Sequence, residues 1–94
     1  MDINELAKSQ FAWEEQMGRH NKTVLEALAL IASEVGEAVN ECRGDEPSLE
    51  LSTELADIIL RTVALAEWLG IDIAAAIRRK QIINNERGTR GRKI

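Results

Sequence analysis

Apolar residues recur along this chain at intervals of three and four and nowhere in sustained alternation, so the pattern predicts helices and gives strands little support. A first helix starts at Asp2, with Glu5 three residues on as a capping box. It runs to about Met17 before Gly18, with a thin apolar side of Leu6, Phe11, Trp13 and Met17. Thr23 with Glu26 repeats the cap and opens a second helix, in which Leu28, Ile31, Val35, Val39 and Cys42 carry the apolar stripe to about Arg43-Gly44. Asp45-Glu46-Pro47 reads as a turn into a third helix with Pro in its first turn, continuing through Ile58, Leu65 and Leu69 to Gly70. Asp72 caps a fourth helix, from Ile73 to about Asn85. No repeat and no second domain is visible, so the expected fold is all-α: a single four-helix domain over residues 1–94, with about 86–94 as a basic tail.

The third helix is apolar on more sides than one neighbour covers. Leu55, Ile58, Leu65 and Leu69 fall on one side, whereas Ile59, Leu60 and Val63 fall largely elsewhere. A helix apolar nearly all round is buried, and four short helices in 94 residues cannot surround it within one protomer. A homodimer or a dimer of dimers follows as the expected assembly.

Charge divides the chain more sharply than its net −4 conveys. Residues 1–77 hold five Lys/Arg against fifteen Asp/Glu, or −10, while residues 78–94 hold seven Lys/Arg against Glu86 alone, or +6. The basic end is either a solvated tail or a clamp for an anion such as phosphate. A nucleic-acid partner is not expected, because the tail has no aromatic residue for base stacking and the acidic body repels a polyanion. No apolar run approaches the roughly 18 residues of a spanning helix. The N-terminus lacks the layout of a signal peptide, so a cytoplasmic protein with no membrane partner is expected.

One Cys (Cys42) and one His (His20) exclude an internal disulfide and a Cys/His zinc site, so any metal is held mostly by oxygen. Cys42 reads as a small buried hydrophobe of the second helix. Candidate oxygen ligands are evident. Glu34-Val35-Gly36-Glu37 lies in the second helix and Glu54-Leu55-Ala56-Asp57 in the third, each with acids three apart and so within roughly 60° on one helix face. Glu41 extends the first acidic stripe and Glu50 the second. Two readings stand side by side: solvated helix faces, or a cleft that holds a hard divalent cation, Mg²⁺ with Mn²⁺ as substitute. Like charges at this spacing repel, and two such pairs bordering core positions favour the cation.

The ordered combination Glu34-x-x-Glu37 and Glu54-x-x-Asp57, with Lys80-x-x-x-Asn84-x-x-Arg87 downstream, resembles the signature of the MazG-like all-α nucleoside triphosphate pyrophosphohydrolases. The phrases Ser33-Glu34-Val35-Gly36-Glu37-Ala38 and Glu54-Leu55-Ala56-Asp57-Ile58-Ile59-Leu60 resemble the same group, over about residues 23–94. The resemblance implies a four-helix protomer in a dimer or tetramer. It further implies Mg²⁺-dependent cleavage of a (deoxy)nucleoside triphosphate to monophosphate and pyrophosphate, in house-cleaning or nucleotide-pool control. Glu34, Glu37, Glu54 and Asp57 become metal ligands, and Lys80, Asn84 and Arg87 become contacts to phosphate and sugar. Glu34, Glu37 and Glu41 are the catalytic carboxylates, with Glu37 or Glu41 among the candidates to accept a proton from water.

Base recognition is read from the first helix and the segment after it. Trp13 either stacks on a nucleobase or, like Trp68, belongs to a core or interface, and Gln10 or His20 supplies a hydrogen bond to the base edge. Enzymes of the same fold restricted to dUTP or to phosphoribosyl-ATP are the alternatives within the class. A non-enzymatic helical oligomerisation module is the alternative outside it.

Overall fold

The computed structural model of the protein describes residues 2–18 and 23–88. Four helices follow one another: α1 (Ile3–Gln16), α2 (Val24–Asn40), α3 (Leu51–Trp68) and α4 (Ile73–Arg87), with no strand among the described residues. Three begin where a short polar side chain replaces a missing helical partner. Asp2 Oδ1 accepts from Glu5 N at 2.8 Å, Thr23 Oγ1 from Glu26 N at 3.0 Å, and Asp72 Oδ1 from Ala75 N at 3.0 Å. Helix α3 ends in a Schellman arrangement, in which Ile71 N donates to Ala66 O at 2.9 Å across Gly70, whose φ of 70° is the left-handed region open to glycine.

Helix α3 is the centre of the protomer, with α1 and α2 packed on it and α4 leaning on α1 and α3 without reaching α2. What packs is small. The buried apolar residues are Ala7, Ala27, Ala38, Val63, Ala64 and Ala66. Alanines let helix axes approach closely but remove little apolar area from water, about 25 cal/mol for each Å².

Several expectations are corrected by the packing. The inward line of α2 is Ala27, Ile31, Glu34, Ala38 and Glu41, so Leu28 (50% exposed), Val35 and Val39 (60% exposed) point away from α3. Ile31 of the expected stripe does face inward, but Leu28, Val35 and Val39 were the wrong guide, because α2 docks mainly through its alanines and the Glu34–Arg61 pair. On α1 the expected Leu6 and Phe11 are half-buried, as are Ile3, Gln10 and Glu14 beside the buried Ala7, while Trp13 and Met17 are exposed. Helix α2 ends at Asn40, so Cys42 lies in the following turn and is exposed rather than buried. Pro47 is outside α3, which starts four residues later. Ser48 N instead donates to Glu41 O at 2.8 Å and shapes the connection. Helix α4 continues to Arg87, so the start of the expected tail is helical and the remainder, 89–94, lies outside the described residues, as does His20.

A polar clamp ties α4 to α1. Asn4 Nδ2 donates to Asp72 Oδ1 at 2.9 Å and Asn4 Oδ1 accepts from Ala74 N at 3.1 Å. The Asn4 amide, then the Ala75 N–H, hold the Asp72 carboxyl below its ordinary 3.8, with Arg79 adding to them against a smaller opposing effect of desolvation. A carboxylate depressed on folding stabilises the fold above its unfolded value and loses that contribution as pH falls through the folded one. Asn4→Ala is therefore expected to lower the urea midpoint at neutral pH, with a smaller difference from the parent below pH 3.8. An unchanged urea midpoint would show that the clamp contributes nothing.

Candidate functional site

Packing α2 on α3 through alanines brings two acidic lines face to face. Carboxylate oxygens of Glu34, Glu54 and Asp57 lie within 4.8 Å of one another. Glu34 Oε2 and Glu54 Oε2 are buried and accept no hydrogen bond. A buried acceptor without a donor carries its full desolvation cost, so this arrangement is unfavourable without a cation.

Glu54 registers that cost most strongly. Its carboxyl is pushed up from 4.5 to about 7, first by desolvation and then by the hydrogen bond its protonated form donates to Glu37, with the charges of Glu37, Glu34 and Asp57 acting in the same direction. Glu37, one turn beyond Glu34 and exposed, thus joins the cluster through Glu54. Among the described residues one cation pairs with the cluster: Arg61 Nε donates to Glu34 Oε1 at 3.1 Å, linking α3 back to α2. This leaves one face of Glu34 oriented by a guanidinium and the other oxygen unpartnered.

Beside the cluster opens a cavity of about 370 Å³ lined by Gln10, Trp13, Glu14, Asp57, Leu60 and Arg61. Its size falls in the lower part of the roughly 300–1,000 Å³ typical of small-molecule sites. Helix α1 contributes an aromatic face and two polar groups, and α3 contributes a carboxylate of the cluster and the arginine that braces it.

Of the residues expected from sequence, Glu34, Glu54, Asp57 and Glu37 are brought together and Trp13 lines the adjoining cavity. Glu41 is not in the trio, and its Oε1 accepts from Ser48 Oγ in the α2–α3 connection. Lys80, Asn84 and Arg87 are exposed on α4, which makes no approach to α2 within the protomer. Sequence reasoning missed Arg61 and Glu14. Arg61 had a readable signal, since it lies four residues beyond Asp57 and seven beyond Glu54, on the same face of α3. Glu14 had none beyond standing four residues after Gln10.

Among the described residues no helix is long and apolar enough to cross a membrane. The model of the MazG nucleotide pyrophosphohydrolase domain matches residues 22–84, which include both acidic pairs and the Lys80 to Asn84 stretch. A dATP/dGTP diphosphohydrolase of Cyanophage S-2L is 35% identical over 60 residues, 64% of this chain and 52% of that protein. The chain therefore spans about half the length of the curated relative it matches. No solved structure gives a significant match. Two facing acidic pairs on an all-helical frame, and a family match over two thirds of the sequence, lead to one assignment: the chain belongs to the MazG nucleotide pyrophosphohydrolase domain family.

Proposed function

We propose that this chain hydrolyses (deoxy)nucleoside triphosphates to the monophosphate and pyrophosphate, as a homo-oligomer with Mg²⁺ held by Glu34, Glu54 and Asp57 and completed by Glu37. The observation that carries this reading is the meeting of three carboxylates from two helices, two of them with buried oxygens that have no donor. The donor set fits the ion: all ligands are hard oxygen. Their spacing also suits an octahedron with bonds of about 2.1 Å, whose ligand oxygens stand roughly 3 to 4 Å apart. Mn²⁺ is accommodated by the same donors. When bound, the ion supplies neutralisation of phosphate charge and acidification of water.

The protein's own groups do the rest. Arg61 holds Glu34 in place and walls the cavity, so that the acids and the nucleotide share one boundary. Glu37, exposed and linked to Glu54, accepts the proton of the attacking water, while Glu41 is engaged by Ser48. Water oxygen adds to the α-phosphorus as the bond to the bridging oxygen breaks, and pyrophosphate leaves. Trp13 offers a face for the base. The name of the cyanophage relative supports a deoxynucleotide as substrate.

Lys80, Asn84 and Arg87 fit the phosphates and sugar if α4 is supplied by a second copy, because α4 does not reach α2 in its own protomer. The test is pyrophosphate release from a panel of ribo- and deoxynucleoside triphosphates with Mg²⁺, Mn²⁺ or EDTA. Metal-dependent release with monophosphate as co-product is expected. No release from any nucleotide, together with no rise in Tm on adding metal, would leave a helical module without this activity. Lys80→Ala is expected to raise KM about tenfold or more with a smaller change in kcat, as loss of one charged phosphate contact requires. An unchanged KM removes Lys80 from the phosphate site.

A further inference from the structure

The cavity beside Asp57 carries an acid that the hydrolytic reading does not use. Glu14 is half-buried in its wall, and Gln10 Nε2 donates to Glu14 Oε2 at 3.2 Å from one turn earlier on α1. That bond holds one oxygen of the carboxylate with an amide donor and leaves it with further acceptor capacity for a ligand. Among the described residues Glu14 forms no ion pair. A half-buried carboxylate held in the wall of a cavity that Trp13 also lines is an acceptor awaiting donors.

We infer that Glu14 is the residue that selects the base, and that it selects guanine. The inference rests on the pyrophosphohydrolase reading for the position of the phosphates next to Asp57, and adds the identity of the base. A carboxylate only accepts, and its two oxygens match two neighbouring donors. Guanine alone among the common bases presents such a pair, the ring N1–H and the exocyclic 2-amino group. Adenine and cytosine place a ring acceptor beside their amino group, and uracil and thymine flank their single N–H with carbonyls, so each sets a lone pair against Glu14. Arg61 lines the same cavity with its Nε occupied by Glu34, and its terminal nitrogens are donors suited to the guanine keto oxygen. The purine stacks on Trp13, which is 44% exposed before ligand binds.

The experiment compares dGTP with dITP, which differ only in the 2-amino group, in the parent and in Glu14→Gln. The parent is expected to favour dGTP over dITP by about tenfold or more in kcat/KM, and dGTP over dATP by at least as much. In Glu14→Gln the dGTP to dITP ratio falls close to one. Calorimetric titration with dGMP and dIMP provides the same comparison without turnover. Preference for dGMP that vanishes in Glu14→Gln upholds the base assignment even if no triphosphate is hydrolysed, in which case the hydrolytic reading alone falls. A parent ratio near one, or a ratio that survives in Glu14→Gln, overturns the inference whatever the activity.

Discussion

Glu54→Gln is expected to produce two opposite effects: a fall in turnover of at least about 10²-fold, and a higher Tm for the metal-free protein at alkaline pH. Both come from the same carboxylate. Glu54 is held at about 7 against 4.5 in the unfolded chain by desolvation, then by Glu37 and the charges of Glu34 and Asp57. An acid raised on folding stabilises the native state fully below its unfolded value and loses that contribution as pH rises through the folded one. At pH 8 the parent therefore keeps a crowded anion at position 54, and the neutral, nearly isosteric Gln relieves it. The gap in Tm should open between pH 4.5 and about 7 and persist above. Added Mg²⁺ should raise the Tm of the parent and raise that of the variant less, because a ligand has gone. Differential scanning fluorimetry across pH with EDTA or Mg²⁺, beside pyrophosphate release, measures all of this. A variant with full turnover and the parent's response to metal would take Glu54 out of the site.

Leu28→Glu combined with Val39→Glu is expected to convert the assembly to monomers and abolish turnover. These residues lie on the face of α2 turned away from α3, with Leu25 and Val35, and Leu55 and Ile59 on α3 are exposed as well. The buried side chains of the described protomer are alanines and one valine, too small a core for a lone domain of this size. In the homo-oligomer proposed above, a second copy covering the outer faces would make up the deficit. Fully burying a Leu or Val is worth about 1.5–3 kcal/mol, so charging two such positions in each protomer weakens association by on the order of 10³-fold or more. Sedimentation and light scattering at micromolar protein should show an oligomer for the parent and a monomer for the variant. Loss of activity follows if α4 of one copy serves the carboxylates of another. A parent that is monomeric at these concentrations, or a monomeric variant of full activity, would refute the shared site.

Much of this molecule obeys rules that act within a few residues. Asp2, Thr23 and Asp72 announced their helices because a cap needs only a short acceptor and the backbone N–H groups of the next turn. Gly70 announced the end of α3 because the left-handed conformation there is open to glycine. The pairing of Glu34 with Glu37 and of Glu54 with Asp57 on common faces likewise followed from the period of the helix. The direction in which each helix presented those faces was a different matter. Size pointed to Leu28, Ile31, Val35 and Val39 as the core of α2, and of these Ile31 alone is turned inward. The packing chose Ala27 and Ala38 because close approach allowed Glu34 to meet Arg61 and the acids of α3. Helix periodicity places Arg61 on the face of Glu54 and Asp57, but its bond to Glu34, 27 residues away, and the place of Glu14 in the wall of the cavity are made by the packing of different helices. Where a helix begins and ends is set by bonds to its own neighbours, whereas which oxygens meet, and which apolar face is left exposed, is set by how the helices lie against each other.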